Sequence, residues 1–466
     1  MTETAPLRDL PPEQMEQMLR AAEQYVLEFL RQLPTAPMDG TARGAELAEQ
    51  VSMPAWPKQG RDFFQLMEVI SEQIIPPAYS AAGGGYLAYI PGGGVFPAAV
   101  ANLIADVTNR YVGVWTPAPA AVQVEVDVID WFRQMIGYPE SARGTLTSGG
   151  SIANLTAVIC GRAALGEYFQ DGVVYTSSQV HHSAERAARQ AGFPASSVVE
   201  LPVDSRFRID MTALERRIAQ DRKQGKRPAL IIASAGTTNT GAVDSLADLA
   251  ELARREEIWL HVDGAYGGFF MLTERGRRAL AGIEASDSVT LDPHKGLFLP
   301  YGTGSIVVRD GQRLKQAMEV EADYLQDLSF DERRINLHEY SLELSRDFRG
   351  LRVWLPLVMF GREAYRATLD EKLDMTAWLY ERLRGLKELT FLEEPQLSIL
   401  AFTARDNDRS RHLMRRVNES QQVLLSSTMI NGRYVVRICI LNFRTDWPLI
   451  HRLAALIEQA VREIGR

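Results

Sequence analysis

Two cysteines in 466 residues are too few for a disulfide framework, and both, Cys160 and Cys439, sit inside apolar runs. They read as buried, reduced thiols, which suits a cytoplasmic protein. A basic excess is missing as well. The formal net charge is −8, which removes the electrostatic footprint that nucleic acid requires. No apolar run approaches the ~20 residues that span a bilayer, and no N-terminal stretch joins a basic head to an apolar core. Neither a P-loop nor a complete dinucleotide fingerprint occurs, and no residue set has metal-ligand spacing. Internal repeats and low-complexity segments are absent. What these absences leave is a cytoplasmic protein, with neither membrane nor nucleic acid as partner, that handles small molecules.

What is present is apolar bulk: 46% of residues are hydrophobic, enough for two or three structural units. Residues 1–80 read as a helical segment. Pro11 and Pro12 open its first helix and Pro34 closes it. Met15, Met18, Leu19, Ala22, Val26, Phe29, Leu30 and Leu33 form one apolar stripe, to be buried on the chain itself or at a subunit interface. Residues 81–349 form the large unit. From about Gly144, short runs rich in valine and isoleucine ("GTLTS", "VVYTSS", "SVVELPV", "ALIIASAG", "IWLHVDGAY", "SVTLDPH", "GSIVVRD") alternate with helical patterns. Such strands predict a mostly parallel sheet with helices on both faces, and ligands beyond the carboxyl ends of its strands. Residues 350–466 read as a small α+β unit. It opens with one long helical run from Leu351 to Leu386, carries a hairpin signal at Asn431-Gly432, and ends in a helix from about Pro448.

The strand ends carry the chemistry. "TSGGS" at 147–151 is a small-residue turn opening a helix, where N–H groups attract phosphate oxygens; taken alone it is an ordinary tight turn. His181 and His182 follow one strand and "AGTTNTG" at 235–241 another. Asp263 ends "WLHVD", where a carboxylate is costly unless paired; it either caps the next loop or partners a cationic ring nitrogen. His261 shares its strand face, but no further metal ligands accompany the pair. Lys295, in "DPHKGL", either snorkels to the surface or uses its amine covalently, since an apolar setting strips a lysine of its proton. Each residue has a structural explanation by itself. Together, a phosphate-binding turn, an imidazole, a strand-end acid and a Schiff-base lysine are the parts that pyridoxal phosphate requires.

With these motifs the chain resembles the group II pyridoxal-phosphate-dependent amino-acid decarboxylases, the aromatic-L-amino-acid and glutamate decarboxylase family. The likeness runs from "GGGYLAYIPGGG" at 83–94 to "YVVRICILN" at 434–442, with "HVDGAY", "DPHKGL" and "LSRDFRGLRVW" (344–354) its most specific parts. It implies an α/β fold type I enzyme, a seven-stranded mostly parallel sheet flanked by the N-terminal helical segment and the small C-terminal unit. It also implies a homodimer with active sites at the interface. Lys295 is then the cofactor lysine, Asp263 the partner of the pyridine nitrogen, Ala265 beneath the ring and His181 above it. Gly149, Gly150 and Ser151 match the phosphate cup, His294 lies beside the phosphate, and Thr237 lies near the ring substituent. Tyr324, 29 residues after the lysine, matches the proton donor that decides the product. Tyr89, Ile90, Tyr111 and Trp115 match the substrate pocket and suit an aromatic side chain.

Two departures stand out. Asp292 replaces a frequent asparagine and is not a phosphate ligand, because an acid there repels phosphate. Ile90 and Gly92 stand where aromatic specialists carry bulkier or hydroxylated groups. The implied reaction is α-decarboxylation of an L-amino acid to its amine and CO2. The competing readings are a decarboxylase of an acidic amino acid, using Arg437 or Arg433, and an oxidative deaminase on the same scaffold. Others are an aminotransferase, a carbon–sulfur lyase, and a catalytically silent interaction protein.

Overall fold

The computed structural model describes residues 7–318 and 334–464. The seven apolar runs become the strands of one sheet: β1 (Arg143–Thr147), β2 (Gly172–Ser177), β3 (Val198–Leu201), β4 (Arg227–Ser234), β5 (Trp259–Asp263), β6 (Ser288–Leu291) and β7 (Gly304–Val308). Their order is β1-β7-β6-β5-β4-β2-β3. Neighbours from β3 to β6 pair in parallel, whereas β7 runs antiparallel to both β1 and β6. A parallel return needs a long crossover. Between β6 and β7 the chain supplies only the four-residue Pro293–Gly296 helix and a loop, so it turns straight back. That short turn carries the lysine and leaves it at the carboxyl edge of the sheet.

Every residue of β2, β6 and β7 is buried, as expected of strands covered on both faces. The Gly150–Ala163 helix covers one face with Ala153, Ala157 and Val158, and the Pro119–Ile136 helix covers the other with Val128, Ile129 and Phe132.

The C-terminal unit has its own antiparallel sheet, β8 (Thr390–Phe391), β9 (Ile399–Thr403), β10 (Ser426–Ile430) and β11 (Arg433–Cys439), in the order β10-β11-β9-β8. The β10–β11 turn puts Asn431 and Gly432 at φ +49° and +75°, the left-handed pair that a two-residue hairpin demands. The Trp447–Ile464 helix closes the unit. One expectation needs correction. The long helical run is two helices, Arg349–Phe360 and Arg362–Leu383, because Gly361 takes φ +75° between them. The stretch after residue 81 also packs on the small unit. Tyr86 bridges Leu424, Leu87 lies in the C-terminal core, and Asn442 Nδ2 donates to the Gly83 carbonyl at 2.9 Å.

One buried ion pair ties the segment before Arg349 to the sheet. Arg346 donates to Glu125 Oε1 at 2.6 Å, to Thr145 Oγ1 at 2.9 Å and to the Leu146 carbonyl at 3.0 Å. Both charged side chains are essentially inaccessible to water. Removing one partner strands the other charge. Arg346→Ala is therefore expected to cost about 3–5 kcal/mol of unfolding free energy. Urea denaturation checks this, and an unchanged midpoint with unchanged slope contradicts it.

Candidate active site

Thr147, Ser177, Ser234, Asp263 and Leu291 end their strands on one edge of the sheet, and a cavity of about 290 Å³ opens there. Its lining includes Gly149, Gly150, Ser151, His181, Thr237, Asp263, Ala265, His294 and Lys295. All nine residues that the resemblance assigns to the cofactor are thus brought together. A larger cavity, about 850 Å³ beside Tyr365, contains neither lysine nor histidine in its lining.

The Gly150–Ala163 helix begins at the cavity wall. Its first N–H groups lack intrahelical acceptors and carry the positive end of the helix dipole. A side chain at Gly150 would put its Cβ 2.9 Å from Asp292 Oδ2, so this turn is held to glycine by close approach. These open donors, a lysine amine and a strand-end carboxylate in one small cavity fit pyridoxal phosphate.

Lys295 Nζ lies 3.0 Å from Asp292 Oδ2. Burial works against the charge on the amine, but Asp292 and then Asp263 outweigh it and hold Lys295 above its ordinary value. The sequence reading expects an apolar setting to strip this proton; the structure supplies carboxylates that retain it. Asp292 sits at the N-cap position of the Pro293–Gly296 helix, yet its side chain makes no capping bond. His294 Nδ1 lies 2.6 Å from the Thr303 carbonyl, which can only accept, so in the neutral ring Nδ1 carries the proton and Nε2 is bare.

A polar chain of fixed polarity supports Asp263. Its Oδ1 accepts from the Ala265 N–H at 3.0 Å and its Oδ2 from Asn154 Nδ2 at 2.8 Å. The second Nδ2 proton of Asn154 goes to Ser183 Oγ at 2.9 Å. Asn154 Oδ1 must then accept from Thr290 Oγ1 at 2.7 Å and from His261 Nε2 at 3.0 Å. His261 Nδ1 is left to accept from Ser288 Oγ at 2.9 Å, itself an acceptor for Trp259 Nε1. On the other side, the Ser183 N–H and hydroxyl both meet His181 Nδ1, at 3.2 and 2.8 Å. The proton of neutral His181 is therefore on Nε2. Burial pushes His261 down to about 4, and it also lowers His181 and His294, each partly offset by a neighbouring carboxylate.

Sequence reasoning passed over Asn154 and Ser183. Asn154 had a signal: an amide in the helical run "SIANLTAVI", three residues after Ser151, on a face that must be buried and bonded. Tyr324 lies outside the described residues. Tyr89, Ile90, Tyr111 and Trp115 do not line the Lys295 cavity. The 111–115 stretch lies against 336–338: Trp115 N–H donates to Asn336 Oδ1 at 3.0 Å, and His338 N–H to the Gly113 carbonyl at 3.0 Å. The missing side chain at Gly92 has a packing cause, since a Cβ there would come within 2.5 Å of the His294 carbonyl. Neither Arg437 nor Arg433 lines the Lys295 cavity. Buried Arg437 instead donates to the carbonyls of Thr238 and Asn239 and to Ser426 Oγ, and Arg433 donates to Thr403 Oγ1.

The pyridoxal-dependent decarboxylase conserved domain matches residues 48–405. An aromatic-L-amino-acid decarboxylase of Bacillus atrophaeus is 33% identical, with 98% of this chain and 97% of the relative covered. An L-2,4-diaminobutyrate decarboxylase of Rhizobium meliloti (strain 1021) is 31% identical over 79% of this chain and 76% of its own. Among solved structures, Oryza sativa TDC with PLP and tryptamine superposes with a TM-score of 0.93 at 23% identity, covering 99% of this chain and all of that one.

The neutrality of His261 has a consequence for stability. As pH falls from the ordinary 6.5 towards about 4, the unfolded chain binds a proton that folded His261 refuses. Its contribution is intact above the ordinary value and is lost across that window, by roughly 3 kcal/mol at about 1.4 kcal/mol per unit. The urea midpoint should fall across this range more steeply for the native protein than for His261→Asn. Identical slopes contradict a buried neutral imidazole.

Proposed function

The chain belongs to the pyridoxal-dependent decarboxylases and is a carboxy-lyase that works with pyridoxal phosphate; we propose that its substrate is an aromatic L-amino acid, converted to the amine and CO2. The observation that carries the reading is the convergence of Lys295, Asp263, His181 and the start of the Gly150–Ala163 helix on one cavity. The full-length similarity to an aromatic-L-amino-acid decarboxylase supports the substrate class.

When bound, pyridoxal phosphate supplies an electron-accepting ring for the pair left behind as CO2 departs. Lys295 is assigned the covalent attachment. The N–H groups of Gly149, Gly150 and Ser151 would take the phosphate, with His294 beside it. Asp263, held by Asn154 and the Ala265 N–H, would keep a proton on the ring nitrogen. Ala265 and His181 would bound the two faces of the ring, with the proton of neutral His181 on Nε2, and Thr237 would lie near the ring substituent. Tyr324 is assigned the general acid that protonates the α-carbon, where placement decides the product.

A second copy of the chain is assigned the rest of the substrate pocket. The Pro12–Gln32 helix has no buried residue, and Leu19, Val26 and Phe29 on it are exposed. The Phe96–Thr108 helix, just before Tyr111, exposes Val100, Leu103, Ile104 and Val107. Covering these faces by homodimerisation brings Tyr111 and Trp115 towards a partner's cavity. The described helices include none long and apolar enough to cross a membrane. The free, buried cysteines favour the cytoplasm.

Two measurements test this reading. Across a panel of amino acids, CO2 release should be greatest with tyrosine-, DOPA- or tryptophan-like substrates, and Tyr324→Phe should divert product from amine to carbonyl compounds in the presence of oxygen. Keto-acid formation without CO2, or an unchanged amine yield in the variant, contradicts it. Sedimentation should give two chains per particle, and Leu103→Glu with Val107→Glu should shift the equilibrium to monomers of low activity. Fully active monomers overturn the shared site.

A further inference from the structure

The cavity holds one carboxylate that the mechanism leaves without a task. Asp292 is essentially inaccessible to water, makes no cap, and has one oxygen, Oδ1, without a hydrogen-bond partner among the described residues. Its other oxygen lies between two nitrogens, 3.0 Å from Lys295 Nζ and 3.6 Å from His294 Nε2. Both oxygens press on the phosphate-binding turn, 2.9 and 3.1 Å from where a Cβ on Gly150 would sit. An anionic phosphate seated at that turn would lie close to the Asp292 side chain, an acid. The amine that must attack an aldehyde is protonated and has no lone pair to offer. A net transfer of one proton from the amine to the His294 ring would free the amine's lone pair and set a positive charge near the turn, and the polarity of His294 supplies its direction, since Nδ1–H is committed to Thr303 and Nε2 is bare.

We propose that Asp292 relays a proton from Lys295 to His294 when phosphate fills the turn, so that cofactor docking itself makes the amine nucleophilic. Lys295 Nζ gives its proton to Asp292 Oδ2, and Asp292 passes a proton to His294 Nε2. The carboxylate is restored, and the new imidazolium lies on the phosphate side. The neutral amine's electron pair then forms the carbon–nitrogen bond to the aldehyde. The carbonyl oxygen leaves as water with the two protons remaining on nitrogen, so no oxidant or further reactant is needed. The other groups facing the amine do not compete: Asp263 is engaged by Asn154 and Ala265, His181 Nδ1 by Ser183, and burial holds the Cys439 thiol and the Tyr301 hydroxyl protonated. The inference rests on the reading of Lys295 as the cofactor lysine.

The test uses apoprotein and phosphate-free pyridoxal, followed by visible absorbance at neutral pH. Inorganic phosphate should accelerate capture of pyridoxal by about tenfold, the effect of one unit in the neutral fraction of the amine. Asp292→Asn, which keeps the shape but not the base, should abolish that acceleration, and its capture without phosphate should be no slower than the native protein's, because its amine has lost the first of the carboxylates that hold its proton. If phosphate leaves the native rate unchanged or slows it, or accelerates the native protein and the Asp292→Asn variant equally, the relay is overturned. Absence of colour with pyridoxal phosphate itself overturns the cofactor assignment of Lys295 as well, which separates the two failures.

Discussion

A protonated amine held against a buried carboxylate, at a sheet edge where two strands turn back on each other, is the constraint around which the molecule is arranged. Lys295 reaches this position because β6 and β7 are joined by a turn too short for a crossover. It stays charged because Asp292 and Asp263 outweigh the desolvation of the amine. Without the carboxylates burial alone would pull the amine below its ordinary value, and without the lysine the buried Asp292 would lose its nearest ion-pair partner. The His294 ring and the turn at Gly150 are packed within reach of that one pair.

The polar groups behind the cavity obey a single direction. Because Asp263 can only accept, Asn154 must present its amide protons there, and its oxygen then has to accept from His261 and Thr290. The same logic runs through Ser183 to His181. Asn154 therefore sets the proton position of His261, and the Ser183 N–H that of His181. Fully satisfied networks of this kind are rigid, and rigidity is what a site that must orient a flat ring requires.

The fold was legible in the sequence wherever strands are apolar on both faces and end in small or polar residues; all seven runs became strands of one sheet. The Asn431-Gly432 hairpin was equally readable, because only a few residues adopt two successive left-handed conformations. The break at Gly361 was not, since helical periodicity continues through it and a lone glycine is often tolerated in a helix. The proposed cofactor residues form a group only in three dimensions: Gly149, His181, Asp263 and Lys295 are far apart in sequence and line one cavity at the strand ends. The charge state of Lys295 was hidden because it depends on distances to Asp292 and Asp263. The packing cause of Gly92 was not legible because the His294 carbonyl lies about two hundred residues away in the chain. Tyr111 and Trp115 belong to a surface that a single chain leaves outside the Lys295 cavity.

The central claim is that this one amine bonds covalently to the aldehyde of pyridoxal phosphate. Reducing the loaded protein with borohydride and mapping the labelled peptide tests it most directly. The account predicts a single pyridoxyl adduct, on Lys295. An adduct on another lysine, or none in a protein that still releases CO2, would contradict it.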